Sequence, residues 1–175
     1  VAAQLGRAGY TVAVLGRNTE SGRQAATTLC DLGIDAVGDG ADFSNHAEVA
    51  SLRERLGPLA EPEILVCSAG VMSEKMSKTL RTAPDEWDRV LGVNLLGVVN
   101  ALSHFAPPMV AARSGRVIAL SACLGRFSGP GTSGGLAPYR VSKAAVNALI
   151  RNFAAETGWG ARGVLVDAVC PNHCR

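Results

Sequence analysis

Four short runs of apolar residues lack a clean inside/outside alternation: Thr11–Leu15, Ile64–Cys67, Arg116–Ser121 and Val164–Val169. Each is rich in Val, Ile or Leu, the pattern of strands buried on both faces in a parallel sheet covered by helices. A fifth, weaker run at Ile34–Val37 extends toward Asp42, its end blurred by Gly38 and Gly40. Between these runs apolar residues recur at helical spacing. Ser21–Leu32 closes at Gly33, and Asn45–Leu56 closes at Gly57-Pro58. Pro84–His104 opens on Pro84, Asp85 and Glu86, which suit a helix N-terminus. Tyr139–Thr157 carries Val146, Leu149, Ile150 and Phe153 on one stripe and ends at Gly158. Strand and helix alternate throughout, which predicts an α/β fold: a doubly wound parallel sheet in three layers, with right-handed crossovers, as a single domain over residues 1–175. No internal repeat is present, and Ser128–Gly135 (SGPGTSGG) reads as a loop.

Composition narrows the class. With 47% hydrophobic and 18% charged residues the chain is globular, and a net charge of +2 carried on scattered arginines predicts neither a nucleic-acid nor a membrane partner. The longest apolar stretch, Val90–Ala112, is interrupted by Asn94, Asn100, His104 and Pro107-Pro108, so it reads as a buried helix and the loop after it. The five cysteines form no CxxC pair, and the three histidines do not cluster, so no metal site is expected. Three of the cysteines lie in or at the end of strand-like runs, and a reduced, cytoplasmic setting is expected, with no signal or transit peptide. Val1–Leu5 reads as the middle of a helix and Arg175 as mid-loop, which suggests an excerpt truncated at both ends.

The chemistry concentrates in Tyr139 and Lys143. Four residues apart, they share one helical face. A phenol normally keeps its proton to about pH 10. An ammonium beside it favours phenolate, so the pair is expected to exchange a proton near neutral pH.

The segment YRVSKAAVNALI that begins at Tyr139 resembles the active-site helix of the short-chain dehydrogenase/reductase family, particularly its carbonyl-reductase-like group. The resemblance runs along essentially the whole chain. Val93-Asn94-Leu95-Leu96-Gly97 is similar to the family's VNxxG segment, and Ser68-Ala69-Gly70 to the end of its NNAG motif. Gly115–Ser121 resembles the strand that leads to the catalytic serine, and Val169-Cys170-Pro171 the turn that holds the nicotinamide ring. The resemblance implies a Rossmann-like fold, a small carbonyl or alcohol substrate, and a homo-oligomer, dimer or tetramer. It implies Tyr139 as general acid in reduction and base in oxidation, Lys143 as its tuner and ribose holder, and Asn94 as the anchor of a water in a proton relay; a kinking or core-satisfying asparagine is the alternative for Asn94. Cofactor contacts are implied for Arg17, Asp42, Phe43, Ser68, Ala69, Gly70, Pro171 and Asn172. An arginine at Arg17, with no acid in that turn before Glu20, suits the 2′-phosphate of NADP(H) rather than the hydroxyl of NAD; a surface arginine capping the strand is the alternative. Arg126, Phe127 and the loop 128–135 are candidates for the substrate rim.

The chain departs from the family pattern in four places. Counting back three from Gly125, the catalytic serine falls on Ala122, leaving Ser121 as the structural partner or as a substitute donor. Losing one such donor costs about a hundred- to thousandfold in other enzymes. Cys67-Ser68 replaces two asparagines, and Asn172 follows Pro171 where glycine is usual. The glycine-rich turn that binds pyrophosphate is absent; Gly6 and Gly9 read as the end of the first helix. The strand that precedes that turn in the family lies between Thr11–Leu15 and Ile64–Cys67, so a gap is expected there, with an unstable chain that binds cofactor poorly. Two other readings stay open. Ala122 suits a non-catalytic relative that binds nucleotide as scaffold or sensor. Gly131–Gly135 fits G-x-S-x-G around Ser133, followed by Asp167 and His173 in serine-hydrolase order, although Ser133 does not sit directly between a strand and a helix.

Overall fold

The computed structural model describes residues 1–74, 76–128 and 134–171. It divides into two compact units, Val1–Ala60 and Glu61–Arg175.

The first unit runs α1 (Ala2–Arg7), β1 (Val12–Gly16), α2 (Thr19–Cys30), β2 (Ala36–Gly40) and α3 (His46–Leu56). β1 and β2 are parallel, in register from Val12 with Ala36 to Gly16 with Gly40. Thus the weak fifth strand forms, but over Ala36–Gly40 instead of Ile34–Val37, and it includes the glycines that blurred its end. Those glycines are a packing requirement. A Cβ on Gly22 of α2 would collide with the Asp39 carbonyl oxygen, and one on Gly38 with the Gly22 carbonyl oxygen, so helix and strand approach to bare backbone. α2 starts two residues earlier than expected because Asn18 caps it: its Oδ1 accepts from the Ser21 N–H at 2.9 Å, and the Ser21 hydroxyl and Asn18 complete a capping box. Asn45 caps α3 with its side chain alone, its Oδ1 accepting from the Ala47 and Glu48 N–H groups at 3.0 and 3.4 Å. Val49 and Leu52 of α3 are fully buried. Asp39 receives Arg55 Nε at 2.9 Å and Nη2 at 3.1 Å, together with the Thr19 hydroxyl and the Gly40 N–H. This cluster holds the Asp39 carboxyl well below the usual carboxylate range, the Arg55 hydrogen bond being the largest cause.

The second unit runs β3 (Ile64–Cys67), α4 (Pro84–Leu91), α5 (Gly97–Phe105), α6 (Pro107–Ala112), β4 (Gly115–Leu120), α7 (Ala137–Glu156) and β5 (Val164–Val169). β3 and β5 flank β4, both parallel to it, with Ile64 opposite Arg116 and Gly115 opposite Val164. The segment expected as one helix over Pro84–His104 is interrupted by a π-helical turn, Gly92–Leu96. The loop expected after it is α6, which Pro107 can open because a first-turn residue needs no N–H partner. Val98 and Leu102 of α5, Met109 of α6, Val117 and Ala119 of β4, Val146 and Ile150 of α7, and Val164 of β5 form the buried core.

Within each unit the strands are parallel and alternate with helices, as the hydrophobic pattern predicts. They form a two-stranded and a three-stranded sheet, not one. Among the described residues β1 is hydrogen-bonded to β2 alone and β3 to β4 alone.

Candidate active site

Past Leu120 the chain leaves β4 through Ser121 and the extended Ala122 into a tight turn, Cys123–Gly125. That turn lies against α7: a Cβ on Gly125 would stand 2.7 Å from the Lys143 carbonyl carbon and 2.8 Å from the Ala144 nitrogen, a space that only glycine fits. α7 begins after Leu136, which adopts a left-handed conformation (φ 55°), and Pro138 occupies its first turn. Tyr139 is therefore in the first turn and Lys143 one turn on.

Tyr139 is half-buried, and Lys143, only 5% exposed, carries its Nζ 5.8 Å from the Tyr139 ring centroid. The Lys143 ammonium donates to the Leu120 carbonyl oxygen at 2.7 Å. Burial pushes the Lys143 pKa down. The phenol does not behave as the sequence predicts. Its pKa is raised, first by desolvation and then by the proximity of Cys123 and Cys170, whose thiolates would repel phenolate.

Asn94 sits in the π-turn with no exposed surface. Its Oδ1 accepts from the Val71 N–H at 2.7 Å, and its Nδ2 donates to the Val71 carbonyl at 3.0 Å and to the Ser142 hydroxyl at 2.9 Å. Ser142, fully buried, donates in turn to the Tyr139 carbonyl at 2.7 Å. Both amide protons of Asn94 are thus spent on protein, and one Oδ1 lone pair is left. A Cβ on Gly70 would stand 3.3 Å from Asn94 Oδ1 and 3.6 Å from Lys143 Nζ, so both atoms border the main chain just past β3.

Ser121 is buried and donates to Asn147 Oδ1 at 2.6 Å. A hydroxyl has one proton, so Ser121 has none left for a substrate oxygen, and Ala122 has no hydroxyl to offer. Sequence reading missed Ser142 and Asn147, although the helical period announces both: Asn147 is one turn beyond Lys143, and Ser142 three residues past Tyr139.

Tyr139, Lys143, Asn94, Ser121 and Gly70 are accordingly gathered at the carboxyl ends of β3 and β4, the edge where open α/β sheets take their ligands. Ser68, Ala69, Gly70 and Pro171 are exposed. Cys67 is partly buried, and desolvation of its thiol pushes its pKa up to about 12. Arg17, Asp42 and Phe43 belong to the first unit. Arg17 directly follows β1, is exposed, and has no hydrogen-bond or ion-pair partner among the described residues. Asp42 is a turn former: one carboxylate oxygen accepts from the Ser44 N–H and hydroxyl at 2.9 and 2.6 Å. Phe43 is half-buried. Asn172, Ser133 and His173 lie outside the described residues. Among the described residues no cluster of His, Cys, Asp and Glu suited to a metal ion occurs, and no helix is long and apolar enough to cross a membrane.

The family model for short chain dehydrogenases matches residues 1–175. This chain belongs to the short-chain dehydrogenase family. It is 32% identical over 173 residues to the 3-oxoacyl-(acyl-carrier-protein) reductase FabG of Staphylococcus aureus, covering 98% of this chain and 67% of that protein. It is 34% identical over 177 residues to the glycine betaine reductase ATRR of Emericella nidulans, covering 99% of this chain and 13% of that one. Among solved structures it is similar to a gluconate 5-dehydrogenase from Burkholderia cenocepacia in complex with NADP and tartrate, with TM-score 0.85, 26% identity, and coverage of 97% of this chain and 64% of that chain. A 3-ketoacyl-ACP reductase from Sinorhizobium meliloti gives TM-score 0.84 at 27% identity, with coverage of 97% and 65%. This short-chain dehydrogenase thus spans about two thirds of the length of those two solved structures and of FabG. Its α/β fold is Rossmann-like, and its family is one of oxidoreductases that use a nicotinamide dinucleotide.

The residues present fit the nicotinamide end of such a cofactor. Lys143 keeps two N–H groups beyond the one spent on Leu120, the exposed backbone of Ser68–Gly70 carries no bulky side chain, and the Tyr139 ring centroid is 5.8 Å from the Lys143 Nζ.

Proposed function

We propose that the protein carrying this chain is an NADP(H)-dependent oxidoreductase that reduces a ketone or aldehyde to an alcohol, or runs the reverse. The observation that carries the reading is the half-buried Tyr139 phenol beside the buried Lys143 ammonium, with Asn94 Oδ1 and Lys143 Nζ bordering the same glycine. When bound, the nicotinamide supplies or accepts the hydride. Tyr139 gives its proton to the carbonyl oxygen in reduction and takes it back in oxidation. Lys143 orients the ribose with its free N–H groups, and Asn94 holds the relay side of the site together through Val71 and Ser142. A phenol whose pKa burial has raised is a proton donor throughout the neutral range, which suits the reducing direction. Arg17, exposed and without a partner among the described residues, supports NADP(H) over NAD(H), because a guanidinium matches a phosphate. Arg126 and the exposed Phe127 form part of the substrate rim. The setting is cytoplasmic and the protein self-associates as a dimer or tetramer.

A second reading rests on Ala122 and on the Ser121 proton spent on Asn147: a relative that binds nucleotide without turning over. One assay separates them. The full-length protein is supplied with NADPH and a carbonyl panel that includes 3-oxoacyl thioesters and keto-sugar acids. Carbonyl-dependent NADPH oxidation that disappears in Tyr139→Phe supports the enzyme. Saturable NADPH binding with no turnover on any carbonyl supports the scaffold and overturns the proposal.

A further inference from the structure

Tyr139, Lys143 and Asn147 follow one another at steps of four residues along α7, so their side chains form one stripe. The lower two meet successive parts of the chain leaving β4. Lys143 Nζ donates to the Leu120 carbonyl at 2.7 Å, and the next residue, Ser121, donates its hydroxyl proton to Asn147 Oδ1 at 2.6 Å. Asn147 Nδ2 then donates to the Gly125 carbonyl at 3.4 Å. One amide therefore accepts from the start of the turn and donates to its end, bracketing Ala122, Cys123 and Leu124 between two fixed points.

We propose that Asn147 is a positioning residue of the active site: its amide clamps the tip of β4 to α7 and so keeps the Leu120 carbonyl on the Lys143 ammonium. An amide is the side chain that does both jobs, since a carboxylate has no donor and an aliphatic residue has neither group. Ser121 is only 7% exposed, so its hydroxyl finds little water to replace a lost partner. When the clamp opens, the Leu120–Ser121 peptide is free to turn, and the buried ammonium loses the carbonyl that offsets its desolvation. Lys143 then deprotonates more easily, and Tyr139 loses a fixed neighbour.

The catalytic part of this inference rests on the oxidoreductase reading; the clamp itself does not. Asn147→Leu, Asn147→Asp, Ser121→Ala and the Ser121→Ala/Asn147→Leu double variant are compared in the full-length protein. Three measurements are made: Tm, the Lys143 pKa read by NMR of its side-chain nitrogen, and the pH profile of kcat. The expected result is a double variant whose Tm is no lower than that of Asn147→Leu alone, because each substitution breaks the same bond. Lys143 titrates lower by about half a unit or more in Asn147→Leu. The alkaline limb of kcat follows it, and kcat at pH 7 falls about ten- to a hundredfold with a smaller change in KM. Asn147→Asp keeps the Ser121 acceptor and falls between wild type and Asn147→Leu. Additive Tm losses, or a Lys143 titration unmoved in Asn147→Leu, overturn the clamp; if Asn147→Leu does not fold, an unmoved Lys143 titration in both Asn147→Asp and Ser121→Ala does so. Absence of turnover in the wild type on every carbonyl refutes the oxidoreductase reading instead, and the Tm and NMR comparisons still decide the clamp.

Discussion

The Lys143 ammonium rests on the Leu120 carbonyl oxygen, 2.7 Å away, while standing 5.8 Å from the centre of the Tyr139 ring. The lysine is thereby held by the end of the strand it faces. Burial then shapes both titrations in opposite senses, raising the phenol and lowering the ammonium.

The two directions of the reaction should differ in their pH dependence. In reduction the phenol proton is a reactant, so a raised pKa keeps kcat level through neutral pH and moves its decline into the alkaline range. In oxidation phenolate is the base, and kcat climbs across that same range. Profiles measured in both directions check the sign. Lys143→Met should lower kcat in either direction by about a hundred- to ten-thousandfold, the usual worth of a positioned acid–base group.

Ala122→Ser should increase kcat. Ala122 is extended and follows Ser121, so the two side chains point to opposite sides; Ser121 faces Asn147 on α7. A hydroxyl at position 122 adds a donor without disturbing the Ser121 bond. A gain of about a hundredfold or more, the inverse of losing one such donor elsewhere, is expected with KM little changed. Steady-state kinetics on a single carbonyl reads it.

Acid should unfold the first unit through Asp39. Its pKa is depressed in the folded chain, so its contribution is complete above the ordinary value of 3.8 and drains away as pH falls below it. Asp39→Asn removes the titration. Allowing for Arg55, whose side chain is 46% exposed, the substitution should cost roughly 1–2 kcal/mol near pH 6, and the gap to wild type should narrow steadily below about pH 4. Urea titrations at several pH values measure both.

Gly22→Ala should destabilise by about 1–3 kcal/mol, because the added methyl meets backbone of β2 and not a side chain that can swing away. The same substitution at Gly33, where a methyl meets nothing within 4 Å but φ is 75°, tests conformational strain alone. A larger Tm loss at Gly22 than at Gly33 separates crowding from strain.

The strands of the second unit were legible because Ile64–Cys67 is apolar throughout and Val164–Val169 is broken only by Asp167. β2 was harder to place, since Gly38 and Gly40 are poor strand formers whose reason is the backbone across from them, that of α2 for Gly38 and that of Asn18 and Gly16 for Gly40, a tertiary fact. The Tyr139–Lys143 pair follows from spacing alone. Its electrostatics do not, because the direction of a pKa shift depends on how much water burial removes. The hydrogen bonds from Ser121 to Asn147 and from Asn94 to Ser142 join residues 26 and 48 positions apart, beyond the reach of any local pattern.

The π-turn at Gly92–Leu96 has a bearing on how this helix tolerates change in length. An ordinary α-helix advances about 100° per residue. Removing one residue between Gly92 and Leu96 would let the ladder close to the standard repeat, and Asn94 would swing away from Val71 and Ser142. Adding one elsewhere in α4 would turn Val90 outward instead. Insertions and deletions here should therefore be felt as rotations, with the asparagine as the hand of the dial.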